Sequence, residues 1–109
     1  MRIWLVAVMI ANIVSLPAYA DSLENRAKIA VKSILKDPES ARFGQISRCK
    51  KGFVLGEVNA KNSFGGYTGN QLFVSNGGKY TYIFNPDPEH FDNIVPRAIV
   101  RSNCDPEDQ

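Results

Sequence analysis

The chain has 109 residues, 44% of them hydrophobic and 22% charged, with a formal net charge of +2. That composition allows one domain at most and carries no sign of disorder. One histidine, two cysteines and one tryptophan leave little of the side-chain equipment on which most enzyme classes rely.

Arg2 precedes an apolar run from Ile3 to Leu16, unbroken from Ile3 to Ile10 and then interrupted by Asn12, and the stretch closes on Pro17-Ala18-Tyr19-Ala20. This is the order of a secretory signal peptide. Ala18 and Ala20 are the small residues a signal peptidase requires, so residues 1–20 are expected to be removed between Ala20 and Asp21. The apolar run is shorter than the roughly 20 residues a bilayer span needs. Asp21 stands where a lipid-modified protein would carry a cysteine. The expectation is a periplasmic or secreted protein with no stable membrane insertion.

Removing the leader leaves 89 of the 109 residues and, with Arg2 gone, a net charge of +1. A domain of that size buries a modest share of its surface and often uses a covalent staple. Export makes Cys49 and Cys104 the expected disulfide, worth about 4 kcal/mol on the chain-entropy model. A reactive thiol or an intermolecular bridge is the alternative, although no Cys-x-x-Cys redox motif is present.

Within the expected domain, residues 21–104, the first element is helical. Leu23, Ala27, Ala30, Val31, Ile34 and Leu35 share one face of a helix over Ser22–Lys36. Asp21 or Ser22 caps its start, and Asp37-Pro38 ends it. Lys28, Lys32 and Lys36 repeat on the other face; a solvated face is the plain reading and an acidic or phosphate surface the functional one. Nucleic acid is not an expected partner, because its binders concentrate far more positive charge.

From Ala41 the pattern becomes β-rich. Phe43–Cys49, Phe53–Ala60, Tyr67–Ser75 and Lys79–Phe84 are expected strands of an antiparallel meander, with Asn76-Gly77-Gly78 the clearest turn. Three or four strands covered by one N-terminal amphipathic helix make an α+β domain. After Asn85-Pro86-Asp87-Pro88, Phe91–Val95 reads as a helical turn and Arg97–Cys104 as a returning strand or a short helix. Residues 105–109 are expected to fray. Charge is uneven: residues 21–61 carry net +4 and residues 62–109 net −3.

The most distinctive stretch runs from Gly56 to Gly69, where glycines, asparagines and aromatics crowd between strands. It lacks the Walker spacing and the strand-loop-helix setting of a dinucleotide site. It reads either as a glycine-rich connection that sets the sheet register or as a loop presenting Phe64 and Tyr67, with Asn62 and Ser63 as polar neighbours, to a partner. The two readings are compatible. His90, among Asp87, Glu89 and Asp92, reads as a polar surface loop, since no zinc or EF-hand spacing is present. No metal site and no cofactor are expected. A carboxylate pair built on Glu57, or a hydrolase using Glu57 and His90 or the nearby acids, is the alternative class.

Leu35-Lys36-Asp37-Pro38-Glu39-Ser40-Ala41-Arg42-Phe43 and the block from Gly56 to Gly69 together resemble a group of short exported or envelope-associated bacterial proteins of uncharacterised activity. The resemblance covers Leu35 to about Phe73. It implies a bacterial source and a small helix-plus-sheet domain, and it brings no catalytic residues. Relatives often carry a cysteine just before the second block, where this chain has Leu55. The expected function is a non-enzymatic binding module, such as an inhibitor, an immunity protein or an accessory subunit, acting on another envelope or secreted protein.

Overall fold

The computed structural model describes residues 22–104. The expected leader, its cleavage point between Ala20 and Asp21, and the tail 105–109 lie outside the described residues.

Helix α1 spans Leu23–Lys32, and the Ser22 hydroxyl caps it by accepting from the Asn25 N–H at 3.1 Å. The helix stops before the expected end at Lys36. Ser33 turns its hydroxyl back onto the Ala30 carbonyl at 2.6 Å, and the Ile34 and Leu35 amides bond three residues back rather than four. This local competition ends α-helical pairing a full turn ahead of Pro38. Lys36 therefore leaves the row, and Lys28 and Lys32 alone remain on the helix.

A short 3-10 turn, Pro38–Ser40, leads into the sheet. Its strands are β1 (Arg42–Arg48), β2 (Val54–Asn59), β3 (Gln71–Ser75) and β4 (Thr81–Ile83), all antiparallel in the order β1-β2-β3-β4. The meander and the α+β class are as the sequence implies. Strand β3 is shorter than expected, because Tyr67 pairs only with Lys61 in an isolated bridge and the ladder begins at Gln71.

Side chains alternate between the two faces of the sheet. Val54, Val58 and Phe73 point toward α1 and join its Ala27 and Val31 in one fully buried cluster. Phe43 meets Phe73 edge-on, with ring centroids 5.9 Å apart. Gly56 lies directly under Phe73: a Cβ there would stand 2.7 Å from Phe73 Cζ and 2.9 Å from Ile46 Cγ1. The missing side chain makes room for the aromatic ring.

Val74 points the other way, with Leu55 and Tyr82 beside it in the register, and is also fully buried. A second helix, α2 (Ile94–Asn103), packs against β3. It follows a 3-10 turn over Phe91–Asn93, so the strand reading of Arg97–Cys104 gives way to the helical one. Pro96 does not break it, since it sits in the first helical turn where amide hydrogens have no partner to lose.

Both ends of α2 are tied down. Asn93, 1% exposed, accepts from the Asn85 N–H at 2.7 Å and donates to the Asn85 and Asp87 carbonyls. At the far end Cys104 is bonded to Cys49, the residue after β1, with Cα atoms 4.7 Å apart and a sequence separation of 55. The expected disulfide is present, and the free-thiol alternative falls away. No described helix is long and apolar enough to cross a membrane.

Candidate functional site

The connection from β2 to β3 carries the residues singled out in the sequence, and its shape is fixed by a dense set of local hydrogen bonds. Asn62 organises the tip. Its amide donates to the Gly66 carbonyl at 2.8 Å, and its carbonyl accepts from Gly65 at 3.0 Å. Its side-chain oxygen accepts from Phe64 and Gly66, at 2.9 and 3.2 Å. Gly65 has φ +85°, a left-handed conformation that other residues adopt only at a cost. Asn59 performs the same task further on, where its side-chain oxygen accepts from Gly69 at 3.0 Å.

This scaffold leaves Phe64 almost wholly in water, at 96% exposed. A large apolar side chain held out in this way has no role in the core; single exposed hydrophobics are common on protein surfaces, and what sets Phe64 apart is the hydrogen-bonded turn that holds it. Asn62 and Ser63, which precede Phe64 in the same turn, are also exposed.

Tyr67 behaves differently. It is half-buried, its hydroxyl donates to the Ser40 carbonyl at 3.0 Å, and the Arg42 guanidinium lies 4.2 Å over its ring. Ser40 completes the joint: its hydroxyl accepts from the Lys61 amide at 2.8 Å and donates to the Asp37 carbonyl at 2.8 Å. Tyr67 thus anchors the loop to the segment between α1 and β1, while Phe64 alone is presented. The sequence blocks Leu35–Phe43 and Gly56–Gly69 meet in space at this joint.

Beside the tip lies an open cleft of about 590 Å³ between Ser33–Asp37 and the Asn62–Gly65 turn. Ile34, 53% exposed, forms part of its wall. Phe64 and the cleft together offer a projection and an adjoining recess. Sequence inspection marks the loop but misses the recess, because Ile34 reads there as a core residue of a longer helix.

The residues of the alternative class are not brought together. Glu57 lies on β2 beside Gly44, half-buried. His90 accepts the Asp92 amide at its Nδ1, at 3.1 Å, and stacks on Phe91 with centroids 4.7 Å apart. Asp87 accepts the Glu89 amide at 3.0 Å. Among the described residues no hydrogen bond or ion pair joins Glu57 to His90, and no group of three or more His, Cys, Asp or Glu side chains is placed to hold a metal ion.

Removal of the Asn62 side chain tests the rigidity of the tip. Asn62→Ala is expected to lower stability by about 1 kcal/mol and to speed amide hydrogen exchange at Phe64 and Gly66, whose donors lose their acceptor. Unchanged exchange at both positions would mean that the backbone bonds alone hold the turn.

No family model matches the chain, and no curated protein or solved structure matches it.

Proposed function

We propose that this chain is an exported bacterial, non-enzymatic binding module that engages another envelope or secreted protein by inserting Phe64 into an apolar pocket of that partner. The observation that carries the reading is the 96% exposure of Phe64 on a turn fixed by four hydrogen bonds to one asparagine. Binding energy concentrates on a few large side chains that fill pockets, and a pre-formed loop loses little entropy on docking. The cleft beside Ile34 receives a complementary projection from the partner. An inhibitor or immunity protein that plugs an active site, and an accessory subunit that docks into an assembly, both use this geometry.

Export is supported by the leader-like order of residues 1–20 and fits the Cys49–Cys104 bond, since disulfides persist in oxidising compartments. The test pairs two measurements on the exported protein and its Phe64→Ala variant. Thermal unfolding is expected to shift by no more than about 2 °C, because the side chain packs on nothing. Capture of the envelope partner is expected to fall by about 30-fold or more, the effect of losing one anchor residue. Equal capture by both proteins would overturn the reading.

A further inference from the structure

Helix α2 carries apolar residues on both of its sides. The inner side buries Pro96 and the neighbouring Asn93, Asn103 and Cys104. The outer side exposes Phe91 at 72%, Ile94 at 63% and Val95 at 49%, and Ala98 is exposed one turn further on. Phe91 belongs to the 3-10 turn before the helix, where three residues complete one turn, so it lies in line with Ile94. The four side chains form one stripe at i, i+3, i+4 and i+7.

The ends of this stripe differ in charge. Asp87, Glu89 and Asp92, all exposed, lie within four residues of Phe91 in the sequence, while the exposed Arg97 and Arg101 follow on the helix. Arg97 donates to the Pro88 carbonyl, which places the Asp87–Glu89 loop on the same flank as the two arginines. Among the described residues, neither the Glu89 carboxylate nor the Arg101 guanidinium has an ion pair or side-chain hydrogen bond within its own chain.

We infer that the outer stripe of α2 pairs with the same stripe of a second copy of this chain, the two helices running antiparallel about a two-fold axis near Val95 and Ala98. Such a pairing is isologous, so a single patch satisfies both partners. It covers Phe91, Ile94 and Val95 in both copies, and the small Ala98 lets the helices approach closely. It also brings Glu89 of each copy to Arg101 of the other. A parallel pairing would instead gather the acidic ends of both copies at one end of the pair and leave Glu89 without an arginine opposite. A bilayer of anionic lipid is disfavoured by the same acidic cluster beside Phe91.

A stripe of four residues is small beside the roughly 800 Å² per partner of a standard interface, so dissociation in about the 10–500 µM range is expected. This contact is independent of the Phe64 tip. The test is sedimentation of the exported protein between about 5 µM and 1 mM. A monomer–dimer equilibrium is expected, weakened at least tenfold by Ile94→Asp and left unchanged by Phe64→Ala. Circular dichroism of Ile94→Asp verifies that the exposed substitution leaves the fold intact. Arg101→Glu is expected to weaken the dimer, and Glu89→Arg combined with Arg101→Glu to restore it to within about threefold. A monomer throughout, a dimer indifferent to Ile94→Asp, or a charge swap that fails to restore pairing would each overturn the inference. A monomer that instead co-floats with anionic vesicles would assign the stripe to lipid and overturn it too.

Discussion

Loss of the Cys49–Cys104 bond is expected to lower stability by about 4 kcal/mol, a large part of the 5–15 kcal/mol typical of a single domain. The bond closes a 55-residue separation, so the unfolded chain regains much of its freedom when it is cut. A second effect adds to this. Cys104 is the C-terminal anchor of α2, and α2 packs against β3 where Val74 is buried. Freed at that end, the helix is held by its own packing, by the Asn93 clamp and by the bond from Arg97 to the Pro88 carbonyl. Cys104→Ser combined with Cys49→Ser is therefore expected to lower the unfolding midpoint by about 20 °C, read by circular dichroism. Cys104 is 7% exposed and Cys49 half-buried, so reductant is expected to attack the bond from the Cys49 side. A shift below about 4 °C would mean that the bond constrains neither the unfolded chain nor α2 to any useful extent.

The second large effect is expected at the contact between Gly56 and Phe73. Phe73 is fully buried at the centre of the α1-facing cluster, and Phe73→Ala removes its ring from contact with Phe43 and leaves a void. About 3–5 kcal/mol is expected from such a change. Gly56→Ala errs in the opposite sense: its methyl would stand 2.7 Å from Phe73 Cζ and 2.9 Å from Ile46 Cγ1, and overpacking of this kind costs about 1–3 kcal/mol. Because both changes act on one space, they are not additive. Gly56→Ala is expected to destabilise less in a Phe73→Leu background than in the native one, where urea titration of the four proteins measures the coupling. Equal cost in both backgrounds would show that the strain at Gly56 is relieved against Ile46 instead.

How far the sequence foretells this molecule depends on the range of the interaction concerned. Ser22 capping α1, the alternation of Val54, Gly56 and Val58, and the glycine turn after Asn76 are local signals, and the structure follows them. The disulfide was legible for a different reason, since two cysteines admit one intramolecular connection. The misreadings arise where a tertiary or side-chain contact overrides the pattern. Ile34 and Leu35 continue the helical face, yet the Ser33 hydroxyl diverts the backbone and turns Ile34 outward to the cleft. Tyr67 reads as the start of a strand, and its bond to Ser40, 27 residues away, instead makes it a joint. Arg97–Cys104 reads as either a returning strand or a short helix, and the packing on β3 together with the Cys104 bond makes it helical. At the candidate site, Phe64 was visible as an aromatic among glycines, but nothing local distinguishes it from Tyr67. Exposure separates the two, and exposure depends on Ser40 and Arg42 from the other sequence block.

The position of the disulfide also decides how the molecule bears load. A pull applied at its two ends passes from α1 and β1 to Cys49, across the sulfur atoms to Cys104, and out along the tail. Strands β2, β3 and β4, the Phe64 loop and α2 all lie inside the covalent ring, off the covalent path of the load, and feel it only through the pairing of β1 with β2 and the packing of α1. Stretching draws out α1 and β1, about a third of the described chain, and with them Ser40 and Arg42, so the Tyr67 anchor of the Phe64 loop is lost under load while the chain from Cys49 to Cys104 cannot be extended end to end. The same ring keeps both fragments joined after any single proteolytic cut between Cys49 and Cys104.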